Sequence, residues 1–423
     1  MRQFSSPSLP LFALMLFAGP CSCLAEDWAR FRGANGQGIS TESNLPLLWN
    51  AVEGEPEKNI AWKVKLTTSG WSSPIVVGDS VFVTGTSGEG KKCHVIRVRC
   101  SDGRVLWDKE VHTQETFKMR RANSHATPTP VSDGKRLYAV FFDGTAVAMD
   151  FKGEVLWKNA DFDFYSLHGL GASPVLAGDL LIMPFDGSSR EENTLGWKEP
   201  WDQAALVAWD CSSGEVRWVG QRESSRVGHV TPILIENGKR VVSAGGDRVQ
   251  AFDTATGERI WSIYSQGEGV TPSPVVGGGL IFTSSGFEEP TIRAIRPGGK
   301  GDVTTSHIVW EQKRGVPALP SFLYVKPYLY SITRDNILHC LKAENGNIVW
   351  HKRLEGTYSA SPLFAEGRIY ITSEEGLTTT FAPGREYKEL GQSRVSGVCK
   401  ASLAVSGGKF FLRSSEYLYC IGK

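Results

Sequence analysis

The chain has 423 residues, with 46 Lys and Arg against 45 Asp and Glu and a formal charge of +1. That balance excludes a globally basic nucleic-acid binder, and 41% apolar residues exclude both a disordered chain and a multi-span membrane protein. The outliers are 46 Gly and 13 Trp, which with frequent turn signals point to many short strands.

In chain order, residues 1–25 read as a secretory signal. Arg2 supplies the positive start, Leu9 to Ala18 the apolar run, and Cys23-Leu24-Ala25 ends in a small residue. The run is shorter than the ~20 residues of a membrane span, so a soluble exported protein in the periplasm or cell envelope is expected. Contact with a membrane is expected only if Cys21 or Cys23 is lipidated, and the residues before them match that signal poorly. Cys93, Cys100, Cys211, Cys340, Cys399 and Cys420 remain. Export permits disulfides, no spacing selects a pairing, and small buried strand residues are the plainer reading.

Residues 26–58 form a leader, and from residue 59 the chain repeats. Trp recurs at 62, 107, 157, 218, 261, 310 and 350, and Gly103, Gly153, Gly214, Gly257 and Gly346 each precede one of these Trp by four residues. The fullest copies are Ala208-x-Asp210-x-x-Ser213-Gly214-Glu215-x-x-Trp218 and Ala251-x-Asp253-x-x-Thr256-Gly257-Glu258-x-x-Trp261. Asp bonds forward to the backbone and Gly turns the chain. Trp62, Trp107, Trp157, Trp218, Trp261, Trp310 and Trp350 then lie on strands where each docks one unit on another. A buried indole covers ~150–250 Å², on the order of 4–6 kcal/mol before entropy.

A second element, a small residue with Pro followed by strand, turn and strand, occurs eight times. It begins at SSPIVVGDSVFVTG (72–85) and ends at ASLAVSGGKFFLRS (401–414). Four short strands per unit predict an all-β fold, an eight-bladed β-propeller spanning 59–423. The last unit lacks its Trp strand, and the strand around Trp62 is available to close the ring and remove an open edge.

The Ala-x-Asp-x-x-Thr-Gly-x-x-x-Trp signature resembles the tryptophan-docking motif of the pyrroloquinoline-quinone-like (PQQ-like) β-propellers, over nearly all of the chain from residue 59. Trp28-Ala-Arg-Phe31-Arg32-Gly33-x-x-Gly36-x-Gly38 is similar to the opening of exported PQQ-like proteins common in planctomycete-type bacteria. One branch of the family comprises dehydrogenases holding PQQ and Ca²⁺ on the propeller axis. Another contains non-enzymatic scaffolds, among them the propeller lipoprotein of the outer-membrane β-barrel assembly machinery. The enzyme branch resembles itself in a vicinal Cys-Cys disulfide, a Trp floor, a Glu and an Asn on Ca²⁺, and an Asp base. No Cys-Cys dipeptide occurs in this chain. The resemblance therefore disfavours PQQ and calcium, and neither a cofactor nor a metal is expected.

Polar residues preceding the first strand of several units would meet near the axis. They are Arg120, Arg121, Asn123 and His125 before the second unit, His168 before the third, and Arg226 and His229 before the fourth. His125 and His229 each stand three residues before a Pro, at 128 and 232. Such a cluster suits an anionic ligand or a partner, or structural hydrogen bonding; it lacks a third ligand for zinc. The third unit carries a polar insertion, Asp186 to Gln203, with Trp197 and Trp201 outside the docking register. Those indoles either recognise a partner or cover the blade. The Gly-rich stretches open no phosphate-binding helix, and no nucleophile elbow or Ser/His/Asp order stands out.

The expectation is a monomeric, non-catalytic exported scaffold for a protein, peptide or cell-envelope component, with a small-molecule ligand possible and no nucleic acid. The alternative is a degenerate quinoprotein oxidoreductase or a carbohydrate-active enzyme using the axial Arg and His loops.

Overall fold

The computed structural model describes residues 1, 26–119, 123–192 and 194–423, so the predicted signal beyond Met1, with Cys21 and Cys23, lies outside the described residues. Among these residues the strands form eight separate sheets, seven built on a four-stranded meander from one repeat and the eighth drawn from both ends of the repeat region. Blade 1 comprises Ile75–Val77, Ser80–Ser87, Lys92–Arg99 and Val105–Thr113. Blades 2 to 7 cover 131–159, 175–221, 233–264, 275–312, 323–353 and 363–395. Blade 8 takes Ala404–Ser406, Lys409–Arg413 and Tyr417–Ile421 from the C-terminus and its outer strand, Ile60–Lys65, from the start of the repeats. Trp62 lies opposite Cys420 there, so the ring closes as the repeat count predicts.

The turn chemistry behaves as the motif requires. Asp210 Oδ1 accepts from the amides of Ser212 and Ser213, at 2.8 and 3.1 Å, and Asp253 repeats this with Ala255 and Thr256. Bonds from the Ser212 hydroxyl and amide pull the Asp210 carboxyl down to about 2. The glycine that follows does more than turn the chain. A Cβ on Gly257 would sit 2.6 Å from the Trp218 ring, and one on Gly214 would sit 2.5 Å from Trp157. The indole lying on each of these glycines belongs to the preceding blade. Its Nε1 donates to a carbonyl of the same turn, as in Trp62 to Cys100, Trp107 to Phe151, Trp157 to Cys211 and Trp218 to Thr254, at 2.8–3.0 Å.

Three junctions depart from this pattern, the first at blade 7, where Trp350 of blade 6 donates to the Gly384 carbonyl at 2.9 Å but a Cβ on that glycine would meet nothing. Blade 5 replaces the glycine turn with a longer loop, whose Val303 joins the cluster around the 2%-exposed Trp261. Blade 7 has no docking indole: opposite Thr380, where other blades carry Trp, stands Gly391. The leader fills the gap. Leu48 lies where a Cβ on Gly391 would be, at 2.6 Å. Trp49 inserts between Tyr370 of blade 7 and Phe410 of blade 8, with ring centroids 6.3 and 5.5 Å away. Trp49 is 2% exposed and its Nε1 has no hydrogen-bond partner, so its ring holds the two blades by packing, while its backbone amide donates to Ser393 Oγ of blade 7 at 3.0 Å.

A second ring runs around the axis. The small residue before each innermost strand is Ser or Thr, and at seven of the eight positions, all but Ser273, its hydroxyl oxygen accepts a backbone N–H from the equivalent residue of the blade before. The bonds run Ser73 to Thr129, Thr129 to Ser173, Ser173 to Thr231, Ser273 to Ser321, Ser321 to Ser361, Ser361 to Ser402 and Ser402 back to Ser73, at 2.9–3.0 Å. Six of these eight positions precede Pro, which keeps the residue extended and needs no ladder partner on an edge strand. The six cysteines from 93 to 420 are all unpaired, five of them buried.

Trp49→Ala should destabilise the protein by about 3–5 kcal/mol, as expected for emptying a large buried aromatic site. Denaturant unfolding checks this; a loss below about 1 kcal/mol, the scale of an ordinary surface change, would show that blades 7 and 8 do not depend on the leader.

Candidate functional site

The leader determines what lies at the bottom of the axial channel. Trp28 pairs with Val76 of blade 1, and Ala29 accepts from the Ser132 amide of blade 2. Arg30 donates to the Pro232 carbonyl near blade 4, and Arg32 reaches the Phe322 carbonyl near blade 6 at 2.5 Å. Gly38 and Ser40 then bond both sides of Phe364 in blade 7. The innermost strands would otherwise leave edge groups open, and the leader satisfies them. Burial pulls the guanidinium pKa values down, to about 10 for Arg30 and about 9 for Arg32, with the Arg30 charge adding to the latter. With its neighbours anchored outward to blades 4 and 6, Phe31 faces upward and forms the floor of a funnel of about 680 Å³.

The funnel walls have two tiers. The lower tier is the Ser and Thr ring. The upper tier is the residue two positions earlier in each blade, because alternate residues of an extended segment face the same side. Blade by blade these are Trp71, Thr127, Gly171, His229, Thr271, Leu319, Ser359 and Lys400. Asn123, His168, Glu268, Phe287, Arg334 and Tyr358 complete the wall. Lys400 lies 5.5 Å from the Trp71 ring and 3.5 Å from Glu374, and Arg334 lies 5.8 Å from the Phe287 ring.

The expected axial cluster is divided by this geometry. Asn123, His168 and His229 line the funnel. Asn123 donates to the His168 carbonyl at 2.8 Å, and the two imidazoles meet edge to face at 5.9 Å. Arg120 and Arg121 lie outside the described residues. His125 turns away, packing edge-on against Phe142 at 4.6 Å and closing over Gly90 of blade 1. The reason is register: Thr129-Pro130, not Thr127-Pro128, matches Thr231-Pro232, so Thr127 is the counterpart of His229. Arg226 is buried and bidentate to Asp247, at 2.7 and 2.9 Å, with Glu288 on its other side at 2.7 Å. It braces the loop rather than facing the axis. Trp71, Lys400 and Arg334 were not anticipated; counting two residues back from each Ser or Thr of the ring identifies the first two.

The blade 3 insertion folds onto the funnel face. Trp201 exchanges backbone bonds with Ser225, and the Val227 amide donates to Gly196 at 2.6 Å. Arg190 pairs with Asp163 and lies 4.9 Å from the Tyr165 ring. Trp197 and Trp201 are both half-buried, so each covers the blade with one face and presents the rest to solvent. Beneath the insertion, Arg222 and Asp186 form a fully buried ion pair, which Ser243 completes at 2.6 Å.

Eight docked blades around a sealed axial funnel define a β-propeller of the PQQ-like class. The family model for outer membrane protein assembly factor BamB matches residues 49–179, 166–304 and 299–385, and the chain belongs to this family. A curated polyvinylalcohol dehydrogenase from Pseudomonas sp. is 27% identical over 187 residues, which is 43% of this chain and 28% of that protein. The crystal structure of BamB from Moraxella catarrhalis superposes with a TM-score of 0.60 at 14% identity, covering 86% of this chain and 99% of that one. Quinohemoprotein alcohol dehydrogenase from Comamonas testosteroni gives 0.66 at 10% identity, covering 93% and 80%. At these identities the structural matches establish the fold.

His229 makes the stability of the fold depend on pH. Desolvation, with His168 beside it, pulls its pKa down to about 3, against about 6.5 in an unfolded chain. Between those values the unfolded chain binds the extra proton, so stability falls as pH falls, by up to about 1.4 kcal/mol per pH unit. His229→Gln should flatten this slope in urea unfolding across the window; an unchanged slope would place the sensitivity elsewhere.

Proposed function

We propose that this protein is an exported propeller that binds a protein, peptide or cell-envelope component on its axial face, with the blade 3 insertion as part of the contact surface. The observation that carries the reading is the two-tiered funnel wall. Hydroxyls, an indole, imidazoles and two cations held against aromatic rings line it. This is a surface for polar recognition above an apolar floor. The half-buried Trp197 and Trp201 on the same face add aromatic area of the kind enriched at contact hot spots. BamB, whose family model matches this chain, is named as an assembly factor, which favours a macromolecular partner.

The same wall does not fit PQQ with calcium. Calcium takes six to eight oxygen ligands, carboxylates prominent among them, and Glu268 is the single carboxylate among the described lining residues. No cysteine lines the funnel among those residues, and its floor is Phe31 rather than an indole. A degenerate oxidoreductase is the second reading, favoured by a curated relative named as a dehydrogenase, although the match spans only 28% of that protein.

Two measurements test the binding role. Purified protein supplied with PQQ and Ca²⁺ should show no dye-linked alcohol oxidation above the protein-free control, and turnover would overturn the reading. Photo-crosslinkers at positions 197 and 400 should capture the same envelope component in cells. Trp71→Ala with Trp201→Ala should cut that capture at least about ten-fold, equivalent to 1.4 kcal/mol; adducts that differ between the two positions would count against one shared surface.

A further inference from the structure

Blade 1 is longer than ring closure requires. Its second and third strands, Ser80–Ser87 and Lys92–Arg99, have eight residues each, whereas the corresponding strands of the other blades have four to six. The extension lifts a hairpin above the blade, and the outer strand Val105–Thr113 follows it. Its pairing slips between Cys93 and His94, which face His112 and Glu110, leaving Val111 as an extra residue. Such a bulge re-aims side chains and is frequent beside active sites.

On this extension three side chains from three adjoining strands form one chain of hydrogen bonds. Ser87 Oγ lies 2.8 Å from His94 Nε2, and His94 Nδ1 lies 2.8 Å from Asp108 Oδ1. Thr67, from the segment that follows the closing strand, donates to the other carboxylate oxygen, Asp108 Oδ2, at 2.7 Å. The His94 and Asp108 side chains are 15% and 26% exposed, and Ser87 is half-buried. An ionised Asp108 can only accept, so the ring proton of His94 resides on Nδ1. Nε2 therefore presents its lone pair to the Ser87 hydroxyl. None of these residues lines the axial funnel.

We propose that Ser87, His94 and Asp108 form a nucleophilic triad that hydrolyses short acyl esters, an activity separate from the axial binding role. The groups stand in the order and at the distances that activate a serine: nucleophile, base, and an acid that holds the base in its productive tautomer. Ser87 and His94 are the catalytic residues; Asp108 and Thr67 are positioning residues. Ser87 Oγ adds to the ester carbonyl carbon while its proton passes to His94 Nε2. The C–O bond to the alcohol then breaks, and the alcohol leaves with that proton. Water attacks the acyl-serine, His94 takes its proton and returns it to Ser87 Oγ, and the carboxylic acid is released. The turn that follows is hydrogen-bonded through the amides of Gly90 and Lys91, to Ser87 O and Gly88 O at 3.2 Å. The amides of Gly88 and Glu89, next in the chain, lie outside those bonds and are assigned as donors to the oxyanion.

The substrate class follows from the surroundings. A Cβ on Gly88 would meet only the Lys92 side chain, at 3.6 Å, so the approach is open and suits a small acyl group carried on a larger alcohol, such as an O-acetylated polymer.

The test uses the full exported chain with a fluorophosphonate probe and p-nitrophenyl acetate. One phosphonate should be found on Ser87 by peptide mass spectrometry. Ser87→Ala should abolish labelling, and His94→Gln should slow both reactions at least about a hundred-fold with an unchanged melting temperature. Asp108→Asn should lower kcat by a similar factor and leave KM within a few-fold, which a merely structural role would not produce. If Ser87→Ala fails to fold, Ser87→Cys replaces it and should show His94-dependent reaction with iodoacetamide. Absence of phosphonate on Ser87, or wild-type labelling in His94→Gln, would overturn the proposal and leave the axial reading untouched.

Discussion

The structure depends on one contact: an indole from one blade lying flat on a glycine in the next blade's turn while its N–H donates to a carbonyl of that turn. The glycine has to lack a side chain, since a Cβ on Gly257 would stand 2.6 Å from Trp218. Apolar burial and a satisfied polar edge thus coincide in a single residue pair, which is why Trp rather than Phe serves. Repeated around the ring, the contact joins neighbouring blades, and between blades 4 and 5 a short parallel ladder of Gly301 and Asp302 against Trp261 and Ser262 adds to it. The hydroxyl-to-amide bonds from Ser73 around to Ser402 complement it at the axis, where the blades are narrowest and only small residues fit. Outer and inner circles together set blade spacing, and hence the width of the funnel.

The blade that breaks the rule shows how the leader is built in. Gly391 leaves blade 7 without its indole, and Trp49 arrives from outside the repeats to pack on Tyr370 and Phe410. The same leader carries Arg30 to blade 4 and Arg32 to blade 6 and leaves Phe31 as the floor of the channel. Three of its glycines each make room for one such side chain: a Cβ on Gly33 would strike Trp28, one on Gly36 would crowd Arg30, and one on Gly38 would crowd Arg32. Trp28-Ala-Arg-Phe31-Arg32-Gly33-x-x-Gly36-x-Gly38 is therefore a plug, packed as closely as the blades it seals. The proposed roles divide accordingly between the sealed axial face, offered as a partner surface, and the extended hairpin on blade 1, offered as the site of chemistry.

Strand number, blade number and the closing strand were legible before any coordinates, because Gly, Asp, Pro and Trp act locally or between units of fixed size. Even so, the motif does not display its own partners. Gly214 and Trp218 sit together in the sequence, yet Gly214 receives Trp157 and Trp218 goes on to Gly257. The candidate site was less legible. His125 and His229 looked equivalent because blade 2 offers two Thr-Pro pairs, and only the hydrogen bond from Ser73 to Thr129 shows which one belongs to the ring. Arg226 looked available until Asp247 was placed against it.

By itself the sequence determined the repeat: its strands, turns, docking residues and total of eight, all consequences of short-range backbone preference and burial. Tertiary structure alone decided which residues meet. Trp71 and Lys400 are more than three hundred residues apart in the sequence yet adjoin in the funnel, and Ser87, His94 and Asp108 come from three strands with no motif spacing among them. The physical reason is that fold is encoded by periodic patterns, which a single chain displays. A site is encoded by directions and distances across strands, which exist only once the ring has closed.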